Sequence, residues 1–429
     1  MKEDVAKVRT FALISHGGAG KTSLAEAMLF DAGVTTRLGK VDEGASTMDF
    51  EPEEIKRKAT ISTAFNSLDW KKHQLNIIDA PGDFNFIADA KTSLQGADSA
   101  VILVDAIDGV RVQTEKMWEF ANDFELPRMV FVGKMDRERA DFDKAASDVQ
   151  ANFGSSCTPV LIPIGQAENF KGVVDVLNEK AYYYTNGDSG KFEAKDVPAD
   201  LKDEVSRRRD ALIENIAEAN DDLLERYLEG EEISLDELNE GLRGAVAGGK
   251  LVPVVCGSGL LNIGIPQVLD VIAQCMPSPI DRGPRKAANV KGDAELVREP
   301  DPDAPFSALV IKTISDPYAG RLSIMRIFSG TLSADSTVYN SVKDAKERFG
   351  QLLRPRGKTQ DPIPSAGPGD IVAVAKLKET TTGDTLCDEK DAVVFPAIAL
   401  PHAIYSLAVE PKSKGDEEKI FSSLSRLME

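Results

Sequence analysis

The chain has 429 residues, more than one hydrophobic core usually serves, and a domain size of about 150 residues suggests roughly three domains. Its 42% hydrophobic and 28% charged residues, with ordinary glycine and proline usage, exclude fibrous and disordered classes. A formal net charge of -19 argues against coating naked nucleic acid by phosphate neutralisation, though not against a ribonucleoprotein partner met through local basic patches.

The N-terminal stretch MKEDVAKVRTFALIS has an apolar core, Phe11 to Ile14, too short for a secretion signal. Up to about residue 135, short apolar runs alternate with helical patterns, which predicts a mostly parallel sheet with crossover helices. The expected strands are Phe11 to Ile14, Leu75 to Ile78, Ala100 to Val104 and Met129 to Val132. The expected helices run from Lys21 to Phe30, Phe84 to Leu94 and Thr114 to Phe124. Asp105 ends the most apolar run far short of the roughly 20 residues a membrane span needs, so a cytoplasmic protein without a membrane contact is expected. From Ala181 to Gly249 the texture changes. Residues 210–217 (DALIENIA) have helical periodicity, and the acidic outer face around Asp210 to Glu231 reads as solvated. Val252 to Cys256 then reads as a strand again, which marks the preceding stretch as an insertion in the sheet domain.

Pro277-Ser278-Pro279 and the charged, proline-rich run from Asp281 to Pro305 predict a linker. Beyond it, short strands with glycine turns (Ser307 to Ile314, Leu322 to Ser329, Ile371 to Lys376) predict a small β-barrel. A further strand is expected around Tyr405 to Val409 and a helix over Gly415 to Leu427, so the chain is expected to stop early in a third domain. The four cysteines are scattered, with no C-x-x-C pair, and read as buried thiols. His73 and His402 are isolated, with no metal-ligand spacing to anything.

Ser15-His16-Gly17-Gly18-Ala19-Gly20-Lys21-Thr22 follows an expected strand and opens an expected helix. That context suits a phosphate-binding loop. Small residues let backbone N–H groups curl around phosphates, the helix N-terminus favours the anion, Lys21 reaches the β and γ phosphates, and the Thr22 hydroxyl takes Mg²⁺. The strict pattern has glycine where this chain has Ser15, and a chance glycine-rich turn is the alternative. The strand at Ile77-Ile78 runs into Asp79-Ala80-Pro81-Gly82-Asp83. In phosphate-loop proteins the acid that ends such a strand serves Mg²⁺, usually through water; a plain surface turn is the alternative reading of this corner.

Gly133-Lys134-Met135-Asp136 ends another strand, and Gly257-Ser258-Gly259 follows Cys256. With these motifs the chain resembles the translational GTPases, and within them elongation factor G. The resemblance implies an α/β P-loop GTPase domain with an inserted α+β subdomain, then a β-barrel domain and the start of an α+β domain. In this numbering that means a GTP-binding domain over residues 1–280 with its insert at about 160–250, a linker at 281–303, a barrel at 304–400 and the third domain from 401 to 429. It implies that Asp136 accepts two hydrogen bonds from guanine, that Lys134 packs over the base and that Ser258, beside Gly259, supports the base's carbonyl. Adenine would leave the Asp136 carboxylate unpaired, which sites of this kind punish heavily. Thr47-Met48-Asp49-Phe50 and Arg57-Lys58-Ala59-Thr60-Ile61 resemble the family's first switch, placing Thr60 on Mg²⁺ and the γ phosphate. Gamma phosphate and metal order such a loop in a two-state device; an ordinary solvent-facing hydroxyl is the alternative for Thr60. The long interval between Asp136 and Gly257, the segment Thr380 to Glu389 (TTTGDTLCDE) and Ala408-Val409-Glu410-Pro411-Lys412 narrow the likeness to elongation factor G.

The resemblance also implies GTP and GDP as ligands with Mg²⁺, and the ribosome as partner through its RNA and proteins, with the acidic insert helices approaching the stalk proteins. A monomer with no sequence-specific nucleic-acid site is expected. Asp83 stands where the family has the histidine that positions the attacking water. Gly17 and Ala59 stand where it has two apolar gate residues, Gly133 where it has asparagine, and Gly18 where the phosphate loop has a cation-associated aspartate. An ionised Asp83 would face the γ phosphate's charge, so repulsion should push the side chain away or raise its pKa. These departures set two expectations against each other: a ribosome-stimulated GTPase of translocation or recycling in which Lys21, Thr60 and Asp83 attend the reaction, and a GTP-dependent switch that acts by occupancy. A metabolic P-loop kinase has no use for the barrel or the guanine motif.

Overall fold

The computed structural model describes residues 2–185, 189–316, 320–397 and 406–428. Two compact units emerge, one made mainly of Glu3–Arg282 and one mainly of residues from Gly283 onward.

The first unit opens with helix α1 (Lys2–Val5) and is built on a sheet of β1 (Val8–Ile14), β2 (Ala64–Trp70), β3 (His73–Asp79), β4 (Ser99–Asp105), β5 (Arg128–Gly133), β6 (Cys157–Pro159) and β11 (Val252–Cys256). Their order is β2-β3-β1-β4-β5-β11-β6. β1 pairs in parallel with both β3 and β4, and β4–β5, β5–β11 and β11–β6 are parallel too. Only β2 runs antiparallel, joined to β3 by a tight turn in which Lys71 and Lys72 both take positive φ. β1 and β4 are buried along their whole length, as continuous apolar runs in a parallel sheet require, because helices cover both faces. Each fully buried Val, Leu or Ile side chain contributes about 1.5–3 kcal/mol.

The helices around this sheet are α2 (Lys21–Asp31), α3 (Pro52–Arg57), α4 (Ile87–Leu94), α5 (Val112–Asp123), α6 (Phe142–Phe153) and α10 (Ile265–Cys275). Between β6 and β11 the insert forms an antiparallel sheet of β7 (Leu161–Ile164), β8 (Gly172–Asp175), β9 (Lys180–Tyr184) and β10 (Phe192–Asp196), followed by α7 (Lys202–Glu218), α8 (Asp221–Leu228) and α9 (Leu235–Ala247). On α7 the periodic residues Val205, Leu212 and Ile216 are buried while its acids face outward. Ser234 and Glu237 start α9 with a reciprocal capping box. A short α11 (Pro279–Arg282) closes the unit.

The expected helix from Phe84 begins instead as a 3-10 turn, Phe84–Phe86, and becomes α-helical only at Ile87, because Asp83 caps that turn. The expected linker also differs. Residues 285–298 form a hairpin of β12 (Arg285–Asn289) and β13 (Glu295–Arg298), and β12 pairs with β24 (Val393–Val394). The charge and proline that suggested a linker sit on the hairpin's solvent side and flanks, while Ala287 is buried.

The rest of the second unit is an eight-stranded antiparallel sheet in the order β18-β17-β23-β14-β15-β22-β19-β20, with β14 (Ser307–Asp316), β15 (Gly320–Ser329), β17 (Thr337–Asn340), β18 (Ala345–Arg348), β19 (Leu352–Arg356), β20 (Thr359–Ile363), β22 (Ile371–Ala375) and β23 (Thr385–Cys387). The pair β16 (Leu332–Ser333) and β21 (Ser365–Ala366) completes it. Val310, Met325, Ile327, Leu352, Val372 and Leu386 fill its core. The Thr380-to-Asp384 loop hangs on two carboxylates: Glu347 accepts from the N–H groups of Lys378, Glu379 and Thr380, and Asp384 from that of Thr381. Helix α12 (Glu417–Met428) appears near the expected place. Residues 406–409, the described part of the strand expected around Tyr405 to Val409, are exposed and unpaired, since no strand among the described residues lies beside them to complete a ladder. Tyr405 and His402 lie outside the described residues. His73 Nδ1 lies 3.2 Å from the Lys71 carbonyl oxygen, and no cluster of three or more His, Cys, Asp and Glu side chains placed to hold a metal occurs among the described residues. The four cysteines are free and buried. No described helix is long and apolar enough to cross a membrane.

Candidate functional site

Parallel strands end on one edge, and the chain reverses direction across the sheet beside β1, moving to β2 and β3 on one side and back to β4 on the other. Such a switch point leaves a crevice at the carboxyl ends of the strands. Here the loops after β1, β3, β5 and β11 gather. Between them lies a cleft of about 780 Å³ lined by Gly17, Gly18, Gly20, Lys21, Thr22, Asp49, Thr60, Asp83, Lys134 and Gly259 among others.

The loop after β1 turns through Gly18 (φ 77°) and Gly20 (φ 98°), left-handed conformations that glycine adopts without strain, and α2 starts directly on Lys21. Lys21 Nζ donates to the carbonyls of His16 (2.9 Å) and Ser15 (3.4 Å). Ser15 and His16 form the buried floor. Ser15 Oγ donates to the Leu103 carbonyl, and His16 Nδ1 sits 3.0 Å from Thr114 Oγ1. Burial, then the charges of Arg111 and Lys21, push His16 down to about 4, so its ring is neutral at physiological pH. Ala19 is buried, as are Ala80 and Pro81. At Gly82 a Cβ would stand 2.2 Å from Lys21 Nζ and 2.6 Å from the His16 carbonyl oxygen, so the second loop presses on the first at a point where only glycine fits.

Thr22, Thr60 and Asp79, from three separate segments, meet at one point. Thr22 Oγ1 donates to Asp79 Oδ2 at 2.8 Å and lies 2.9 Å from Thr60 Oγ1. The other Asp79 oxygen and both oxygens of Asp49 are buried without a hydrogen bond of normal geometry. Burial first, then the neighbouring Asp49, raises the Asp79 pKa, with Lys21 opposing; burial likewise lowers Lys21 against the pull of Asp79 and Asp49. Burial also raises Asp49, partly offset by the Thr60 hydroxyl. Hydroxyl and carboxyl oxygens crowded this way, several lacking partners, are the hard donor set that fits Mg²⁺, whose charge would hold the carboxyls ionised.

On the far side, Ser258 Oγ donates to Asp136 Oδ1 at 2.6 Å and accepts from the Leu261 N–H at 3.1 Å. Lys134, at φ 61°, extends its Nζ to 2.6 Å from Asp105 Oδ2. Burial would raise Asp105, but the Lys134 ammonium and the Ile107 N–H bring it below the usual carboxylate range. Met135 is fully buried and points into the core rather than the cleft. At Gly133 a Cβ would lie 2.9 Å from a ring carbon of Phe131, and at Gly259 one would lie 2.9 Å from the Ser23 backbone.

Asp83 is exposed. Its Oδ1 accepts from both the N–H and the side-chain amide of Asn85, each at 2.9 Å, so the carboxylate caps its own turn at the rim of the cleft. Gly17 has room for a methyl group, the nearest atoms to a Cβ being 3.7 Å away in Gly82. Three residues to which the sequence assigned no role of their own belong to this neighbourhood: Asp49, which lies within the first-switch motif, Glu26 and Asp105. Asp105 carried a signal, an acid ending a buried apolar strand; Asp49 and Glu26 look like any acids of a loop and a helix.

The fold and this cleft define a phosphate-loop nucleotide-binding protein. Residues 6–278 match the family described as elongation factor Tu GTP binding domain, and residues 305–389 match elongation factor G domain 2. The chain is 40% identical over 426 residues to elongation factor G of Thermotoga maritima, an alignment covering 99% of this chain and 62% of that protein. A crystal structure of a Thermus thermophilus protein superposes with a TM-score of 0.88 at 32% identity, covering 99% of this chain and 61% of that one. The chain thus spans about three-fifths of the length of these relatives. It belongs to the translational GTPases that carry the elongation factor Tu GTP-binding domain, and its second domain is of the elongation factor G kind.

Proposed function

We propose that the chain binds GTP and GDP with Mg²⁺ and acts on the ribosome as an elongation factor G-like GTPase, in tRNA–mRNA translocation or ribosome recycling. The observation that carries this reading is the meeting of Thr22, Thr60 and Asp79 beside Lys21, with the Asp136–Ser258 pair across the same cleft. The loop amides and Lys21 hold the phosphates; Thr22 and Thr60 would take Mg²⁺ through their hydroxyls and Asp79 through water. Bound there, the metal would neutralise charge on the β and γ phosphates. Asp136, fixed by Ser258, accepts from the guanine edge, and Lys134, held by Asp105, covers the base. The ribosome, its stalk proteins included, is the partner of a monomeric, cytoplasmic factor. Calorimetric titration with GTP, GDP, ATP and ADP, each with and without Mg²⁺, tests the pocket. Guanine nucleotides should bind and adenine nucleotides should not; equal affinity for both bases would overturn it.

Asp83 favours a second reading in which hydrolysis is slow and the GTP form acts by occupancy. Its carboxylate is engaged in capping its own turn, and an acid beside a γ phosphate is poorly suited to orient water there. GTP turnover on ribosomes should rise in Asp83→His; equal rates would remove this reading. If occupancy suffices, a non-hydrolysable GTP analogue should support as much activity as GTP. Gly133→Asn should tighten GDP binding provided the Phe131 ring yields, and an unchanged dissociation constant would refute a base-affinity penalty at this position.

A further inference from the structure

Glu26 lies on α2, one turn past Lys21 and Thr22, with none of its side chain exposed. A carboxylate in that setting costs free energy unless donors surround it. Its Oε1 accepts four: Ser46 Oγ at 2.8 Å, Thr47 N–H at 2.6 Å, Thr47 Oγ1 at 2.8 Å and Met48 N–H at 3.0 Å. Ser46 Oγ in turn accepts from the N–H groups of Met48 and Asp49. The other oxygen, Oε2, is buried without a partner against Gly39, where a Cβ would come within 2.0 Å of it. At the far end of the same segment, Glu54 Oε1 accepts from the N–H groups of Ile61 and Ser62, directly after Thr60. The segment that brings Asp49 and Thr60 to the cleft is therefore tied by carboxylates on both sides, and one tie is rooted in the phosphate-loop helix itself.

We propose that Glu26 is a positioning residue for the first switch: it locks residues 46–48 to α2 and so sets Asp49 and Thr60 against the metal and γ-phosphate side of the cleft. Glu26 is not among the residues that line the cleft. A carboxylate collecting four charge-assisted bonds holds this register more firmly than neutral contacts would, and a glycine at 39 is what lets the chain pass over it. The role rests on the nucleotide reading above, but its structural half does not depend on it.

The test uses Glu26→Gln and, because a buried substitution can impair folding, Thr47→Val, which removes one donor on the switch side and leaves α2 untouched. Amide hydrogen exchange of the protein without nucleotide should show faster exchange at Thr47 and Met48 in both variants, on the order of tenfold or more in Glu26→Gln. In Mg²⁺, the affinity for GTP should then fall relative to GDP by a comparable factor, a ratio that a purely structural role would leave alone. Wild-type exchange at those amides in both variants would overturn the proposal, and so would faster exchange with an unchanged GTP-to-GDP ratio. A wild-type protein that binds neither nucleotide would strike the functional reading instead, while the exchange measurement still decides whether Glu26 is the anchor.

Discussion

Replacing Gly82 with alanine tests whether the two loops act as one phosphate grip. The new methyl would stand 2.2 Å from Lys21 Nζ, 2.6 Å from the His16 oxygen and 2.7 Å from the His16 carbonyl carbon. The lysine tip can swing aside, but the carbonyl can retreat only if the phosphate loop moves with it. Overpacking of this kind costs about 1–3 kcal/mol. A displaced Lys21 also forfeits a charge-assisted contact of about 1.5–3 kcal/mol with the bound phosphates. Since 1.4 kcal/mol is tenfold in affinity, GTP should bind at least about tenfold more weakly. Gly17→Ala is the control, because its methyl would meet nothing closer than 3.7 Å. Calorimetric titration of GTP against both variants, with thermal melts to confirm folding, reads the difference. Wild-type affinity in Gly82→Ala, or equal impairment in the two variants, would refute the reasoning.

Ser258→Ala removes the hydroxyl that holds Asp136 at 2.6 Å; guanine nucleotide affinity should drop by roughly tenfold, the worth of one bond to a charged group, with little change in the melting midpoint. Asp31 accepts from the Asn262 side chain and is raised by burial to about 6, with that hydrogen bond opposing. Because its folded pKa exceeds its unfolded one, the stability it contributes is present below about pH 4 and is lost as pH rises through about 6. Asp31→Asn keeps an acceptor for Asn262 without the charge, so it should raise the melting midpoint at pH 8 and leave it unchanged or lower at pH 4; a pH-independent shift would contradict the buried-charge account.

Much of the nucleotide domain was legible along the chain. β1, β4 and β5 are apolar runs because both of their faces are covered, and the phosphate loop, Asp79 and Asp136 stand where such strands end. These signals are local: period, punctuation and a terminal acid. β2 was not legible, because buried Asn66 and Ser67 interrupt its apolar pattern and its neighbour is supplied by the β3 hairpin. Nor was the hairpin over residues 285–298, whose few apolar positions acquire meaning only beside β24.

By itself, then, the amino-acid order determined which stretches could be strands of a parallel sheet and which loops could cradle a phosphate, since backbone stereochemistry and apolar period are properties of neighbouring residues. Tertiary structure alone decided what the acids do. Glu26, Asp49, Asp79 and Asp83 are the same chemistry on the page, yet one is buried under four donors, two are buried facing a cluster of hydroxyls, and one caps an exposed turn. Asp83 is held locally by Asn85, but the environments of Glu26 and Asp79 are set by groups about 20 to 57 residues away, which no local pattern carries.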